Sequence, residues 1–182
     1  MKHLFLLLTF ALLFATCQDD EMVVDPYTQE LALEIVTGLQ TRDFNAAPVG
    51  SLGNPNTFSG EVDIYPVPAI NTANIQYFGG ANLQVRQYWI FAASATTDYA
   101  DINFQQELSN DTYSADEVSD LNIVQTNTVN QSAFAIDVSD FSPGYYRIFY
   151  LMSDETLLWD NLYVDPNAGD FFTLLSTVSA DW

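Results

Sequence analysis

The sequence predicts an all-β domain, an antiparallel β-sandwich behind an N-terminal signal and tether. Three observations predict it. From Phe58 onward apolar and polar residues alternate in short runs. Clusters of Gly, Pro, Asn and Asp punctuate those runs. The runs are also rich in Tyr, Phe and Trp, which suit a pleated, half-buried surface. The chain has 182 residues, 48% of them hydrophobic and 14% aromatic, enough to enclose one ordinary core.

Residues 1–16 read as a signal peptide. Lys2 and His3 precede an apolar run from Leu4 to Ala15, which is too short to cross a bilayer. Cys17, the only cysteine, ends that segment, and Gln18, Asp19, Asp20 and Glu21 follow it. A lone cysteine in an exported chain has no disulfide partner, so lipidation accounts for it better than pairing does. Leu13-Phe14-Ala15-Thr16-Cys17 resembles the lipobox of bacterial lipoproteins, with Phe14 and Thr16 in places where leucine and a small residue are usual. That resemblance implies a signal removed before Cys17 and a lipid on Cys17. Gln18-Asp19-Asp20-Glu21 is similar to the surface-export signal of Bacteroidota-type lipoproteins, which implies an outer-membrane anchor facing the cell exterior. Residues 17–28 are then a lipidated acidic tether, and residues 29–182 are the sandwich, including a C-terminal extension at 165–182.

The elements follow in order. Residues 27–39 fit either a helical face through Tyr27, Leu31 and Ile35 or a strand through Leu31, Leu33 and Ile35; the β-branched Ile35-Val36-Thr37 and the breaker Gly38 favour the strand. Residues 45–56, with Pro48, Gly50, Gly53 and Pro55, carry loop chemistry. Val62 and Ile64 alternate with Asp63 and Tyr65 until Pro66 and Pro68 end that strand. Residues 75–78 form a short strand closed by Gly79-Gly80. In residues 83–92, Leu83, Val85, Trp89 and Phe91 are expected on one face, opposite Gln84, Arg86 and Tyr88. Phe134, Ile136 and Val138 alternate likewise. Residues 144–152 and 156–164 form a hairpin across the turn Ser153-Asp154-Glu155, which brings Trp159 back beside the first strand. The run Phe171-Phe172-Thr173-Leu174-Leu175 is too apolar for water, so the extension packs onto the sandwich or forms a partner contact.

Composition prunes function. After signal removal the cations are Arg42, Arg86 and Arg147; three against 24 acidic residues leave a formal charge of −21. Phosphate backbones and anionic headgroups would repel such a polyanion, so no nucleic acid is expected and the membrane is met through the lipid alone. The only histidine, His3, leaves with the signal. Histidine-dependent nucleophiles and bases go with it, as do zinc, copper, haem and iron–sulfur sites. What survives is carboxylate chemistry, as in a glycosidase pair or a calcium site. The acidic segment 110–117, with Asp111, Asp116, Glu117 and nearby Asp120, lacks the spacing and central glycine of a calcium loop and reads as solvated. No catalytic residue, metal or cofactor is assigned.

Tyr77, Tyr88, Trp89, Tyr99, Tyr145, Tyr146, Tyr150, Trp159 and Tyr163 could stack on sugars if exposed, but alternation buries about half of any strand and assigns most of them to the core.

Two segments resemble a known family. Val62-Asp63-Ile64-Tyr65-Pro66-Val67-Pro68-Ala69 is similar to the opening of type A sorting domains in type IX secretion cargo. Ile136-Asp137-Val138-Ser139-Asp140-Phe141-Ser142-Pro143-Gly144-Tyr145-Tyr146-Arg147 resembles their late segment. The resemblance implies a single immunoglobulin-like sandwich. The chain also looks like small uncharacterised surface lipoproteins in Thr37-Gly38-Leu39 with Arg42-Asp43, in Gly53-Asn54-Pro55, in Gly144-Tyr145-Tyr146 and in Trp159-Asp160-Asn161-Leu162-Tyr163. These likenesses imply location and fold. The functional expectation is a non-enzymatic accessory or binding subunit of an envelope protein complex; the alternative is a carbohydrate-binding surface module for glycan capture.

Overall fold

The computed structural model describes residues 35–57, 61–80, 82–98, 101 and 114–182. The order of elements is β1 (Ile35–Val36), β2 (Gly38–Arg42), β3 (Pro48–Gly53), β4 (Val62–Tyr65), β5 (Thr72–Tyr77), β6 (Val85–Ala95), α1 (Ala115–Ser119), β7 (Gln125–Gln131), β8 (Ala133–Asp137), β9 (Gly144–Met152), β10 (Leu157–Val164) and α2 (Phe171–Val178), closed by a 3₁₀ turn at Ser179–Asp181. The expected all-β sandwich is what forms. A five-stranded sheet runs β6-β9-β10, with β1 and β7 both paired to β6. Opposite it lies the three-stranded sheet β4-β5-β8, and β2-β3 is a separate hairpin. All pairings are antiparallel except β1 with β6, which is parallel.

The main core fills the space between the two larger sheets. Ile64, Ile75 and Ile136 meet Tyr88, Ile90, Ile148, Tyr150 and Leu158 there. A second cluster covers the back of the large sheet, where Val118 of α1 packs with Trp89, Phe91, Phe149, Leu151, Leu157 and Trp159. Strand β9 is therefore buried on both faces. That accounts for its sequence, Tyr146 to Met152, in which seven residues in a row are buried. The expected hairpin is present, with Trp159 opposite Phe149.

Three expectations need correction. Residues 48–53, read as loop, form β3, which pairs with β2 from Gly38–Gly53 to Arg42–Pro48. Nearly all of β3 is exposed, so no apolar alternation marks it; Pro48 sits at its first position, where a missing N–H is tolerated. Strand β7 was not anticipated for the same reason: it is a polar edge strand, mostly exposed. The faces of β6 were also assigned wrongly. A bulge between Val85 and Gln87 shifts the register, so Val85 joins Tyr88 and Ile90 in the main core while Trp89 and Phe91 face the second cluster.

The extension packs back as helix α2. Asp170 caps it, accepting from the Thr173 N–H at 2.9 Å and the Thr173 hydroxyl at 2.8 Å. Phe171, Leu174 and Val178 form its buried stripe. Phe171 lies 5.6 Å from the ring of Phe44, in the turn of the β2-β3 hairpin. Trp182 stands edge-on to Tyr145 at 6.0 Å, and Asp181 accepts the Tyr145 hydroxyl. Segment 27–34 lies outside the described residues; strand holds from Ile35 to Val36 and again from Gly38.

Candidate functional site

Motifs far apart in the sequence converge on one buried polar knot. Asn161 of β10 donates to the Gly38 carbonyl at 3.0 Å and to the Pro55 carbonyl at 2.6 Å, and accepts from Arg147 Nε at 3.2 Å. Trp159 Nε1 donates to the Asn56 carbonyl at 2.9 Å. The Thr37 hydroxyl donates to the Asn54 carbonyl at 2.7 Å and accepts from Asn56 Nδ2 at 2.8 Å. Gly38 is required here, since a Cβ would come within 2.5 Å of the Leu52 and Asn54 backbones. Gly53 is constrained twice: its φ is +61°, and a Cβ would meet the Trp182 ring at 2.7 Å. Thr37-Gly38, Gly53-Asn54-Pro55 and Trp159-Asp160-Asn161 thus fasten the 54–57 segment and the hairpin to the large sheet. Their work is structural.

Beside the knot, β10, β2 and β4 meet at a group of charges. Arg42 of β2 pairs with Asp63 of β4 at 2.5 Å and reaches the Ala46 carbonyl at 3.4 Å. Asp160 of β10 is only 7% exposed. It lines a cavity of about 10 Å³ with Gln40, Arg42, Thr57 and Asp63, room for a single water molecule. Among the described residues its carboxylate receives one hydrogen bond, from the Asn161 N–H at 2.7 Å. Burial pushes its pKa up to about 7, and nearby Asp63 adds to the rise; the Asn161 amide, Arg42 and Arg147 oppose it. Tyr150, fully buried, is held well above the ordinary tyrosine range by burial and then by the charge of Asp160.

The outer surface has a different character. Phe44 is 58% exposed and Phe172 is 73% exposed, and both rings pack on the buried Phe171, at 5.6 and 5.4 Å. Their elements are fixed: Asp43 Oδ1 accepts from the Asn45 and Ala47 N–H groups in the turn, and Asp170 caps α2. Two aromatic rings therefore stand in water at one site, each next in sequence to an aspartate or one residue removed. Each arginine is engaged within the chain: Arg42 with Asp63, Arg86 with Glu155 on the surface, and Arg147 in the buried knot. The exposed charge is overwhelmingly acidic.

Cys17 and the segment Gln18, Asp19, Asp20 and Glu21 lie outside the described residues, as do Tyr99 and Asp111. Of the other rings singled out, Tyr77, Tyr88, Trp89, Tyr146, Tyr150 and Trp159 are core, while Tyr145 and Tyr163 are partly buried. In the acidic segment, Ser114 and Glu117 form a capping box that starts α1, the Glu117 carboxylate accepting from the Ser114 N–H and hydroxyl; Asp116 and Asp120 are exposed. Among the described residues no group of three or more His, Cys, Asp or Glu could hold a metal ion, and no helix is long and apolar enough to cross a membrane. Nothing in the sequence marks Phe44; Phe172 enters only through the apolar run 171–175, and Asp160 only through Trp159-Asp160-Asn161. The only available signal for the burial of Asp160 was its place between Leu158 and Leu162 on an inward-facing alternation.

Comparison with known proteins finds no family model, no curated protein and no solved structure that matches this chain.

Proposed function

We propose that this chain is a non-enzymatic cell-surface lipoprotein, anchored at the outer membrane through Cys17, that serves as an accessory or binding subunit of an envelope protein complex. Its likenesses to type A sorting domains and to small Bacteroidota-type surface lipoproteins belong to the same reading. The observation that carries the binding role is the Phe44–Phe172 pair: apolar rings exposed on well-capped elements, on a surface where most large apolar side chains are buried. Exposed aromatic anchors of this kind are where interfaces concentrate their energy. The aspartates beside them ask for a partner whose apolar cleft is rimmed by lysine or arginine.

Two experiments test this reading. Cys17→Ala should abolish acyl labelling and release the protein from membranes; unchanged membrane retention would contradict the anchor. Joint replacement of Phe44 and Phe172 by serine should leave thermal stability within about 1 kcal/mol, because both are surface changes, yet weaken association with a complex purified in mild detergent about tenfold or more. Full recovery of the complex by that variant would remove the rings from the interface. Binding of purified glycans that the same substitutions abolish would instead favour the carbohydrate-binding alternative.

A further inference from the structure

We propose that β7 is a self-pairing edge: two copies of this chain join antiparallel along Gln125–Val129, about a two-fold axis at Asn127, and run their large sheets into one. The dimer is independent of the partner-binding reading. Phe44 and Phe172 stand on the hairpin and on α2, and the hairpin is tied to β10, at the other edge of the large sheet.

The two edges of that sheet differ. Strand β10 is covered: the Ala69 N–H donates to the Tyr163 carbonyl at 2.8 Å, the Asp165 N–H donates to the Ala69 carbonyl at 3.0 Å, and Asn161 holds the hairpin. Strand β7 pairs with β6 on one side, and among the described residues no strand or backbone group pairs with its outer side. Open edges are normally blunted by a charge or a proline. Strand β7 carries neither, and the β6 bulge falls at its far end, beyond Thr128. Thr126, Asn127 and Thr128 are all exposed, and residues 121–136 hold no charged side chain in a chain with 24 acidic residues. Their neighbours in β6, Trp89, Tyr88 and Gln87, are uncharged too; Arg86, further along, is paired with Glu155.

The occupant follows from charge and from the order of side chains. Acidic surface repels a second copy, whereas the β7 edge brings no charge of its own to the contact. Read outward from Asn127, the strand is symmetric at its first step, Thr126 on one side and Thr128 on the other. A two-fold axis there sets Thr126 against Thr128 twice and Asn127 against itself, cross-strand pairs that favour antiparallel association. Asn130, with φ +51°, ends the straight stretch. Five residues from each copy make a small interface, so the dimer is reversible, with a Kd of about 1–100 μM. Two copies of formal charge −21 repel one another outside the contact, and salt screens that repulsion, so the dimer tightens as salt is added.

The full chain, in density-matched detergent with micelles in large excess, is followed by sedimentation equilibrium at about 0.05 and 0.5 M NaCl. Wild type is expected to dimerise, about tenfold or more tightly at the higher salt. Asn127→Asp and Asn127→Lys should each weaken the dimer about tenfold or more at both salts without moving the thermal midpoint, because like charges of either sign then face each other across the axis. A wild-type monomer at about 100 μM in the higher salt, or variants that dimerise as wild type does, would overturn the pairing. So would a tighter dimer of Asn127→Lys, the mark of association by charge neutralisation. Should a variant not fold, amide exchange of Gln125–Val129 in wild type is compared at about 1 and 200 μM. Protection that rises with concentration supports the dimer, and equal protection at both ends it.

Discussion

Ile148→Asp is expected to abolish the folded state, seen as loss of any cooperative thermal transition in the purified protein. Ile148 is fully buried in β9, with Ile90 of β6 on one side and Asp160 of β10 on the other. A carboxyl placed there is cut off from water and stands opposite a second buried carboxyl, so burial and like-charge repulsion act together. The cost of several kcal/mol is comparable to the whole stability of a domain this size, about 5–15 kcal/mol. Phe149→Asp should be equally severe through the other face, where Phe149 packs 5.5 Å from Phe91 and 5.9 Å from Trp159. A variant at either position that kept a sharp transition near the wild-type midpoint would show that face not to be core.

Deleting residues 165–182 should lower the thermal midpoint by about ten degrees or more. Phe171, Leu174 and Val178 are each at most 2% exposed, and each such side chain contributes roughly 1.5–3 kcal/mol when fully buried. Ordering the eight helical residues opposes that gain, while the helix's own backbone hydrogen bonds and its Asp170 cap add to it. The deletion also uncovers the hairpin, because Phe44 loses the Phe171 ring and Gly53 loses the cover of Trp182. A truncated protein with an unchanged midpoint and unchanged partner binding would show the tail to be dispensable. One with an unchanged midpoint but no partner would make it purely an interface.

Where residues face a core on one side, the sequence was legible. Val62 and Ile64, and Phe134 and Ile136, follow from a period of two; the β9-β10 hairpin, buried on both faces, follows instead from two apolar runs joined by a short turn. Legibility ended where that pattern carries no information. The β3 and β7 strands expose most of their side chains, so pairing alone holds them extended, and pairing is not written locally. The bulge in β6 inverted the faces of Tyr88 and Trp89 by inserting one residue that the alternation cannot announce. The apolar run at 171–175 showed that the tail would avoid water, without showing that it would do so as a capped helix against Phe44.

By itself the sequence determined the all-β class, the aromatic core and the polyanionic character, because these depend only on residue type and local period. The convergence of Thr37, Asn54, Asn56, Trp159 and Asn161 into one knot was decided by the tertiary structure, since those hydrogen bonds span up to 123 residues. So was the difference in fate between exposed Phe44 and buried Phe171, and the burial of Asp160 between three strands of separate sheets. A side chain's environment depends on what the rest of the chain brings to it, and neighbours in sequence hold only a small part of that information.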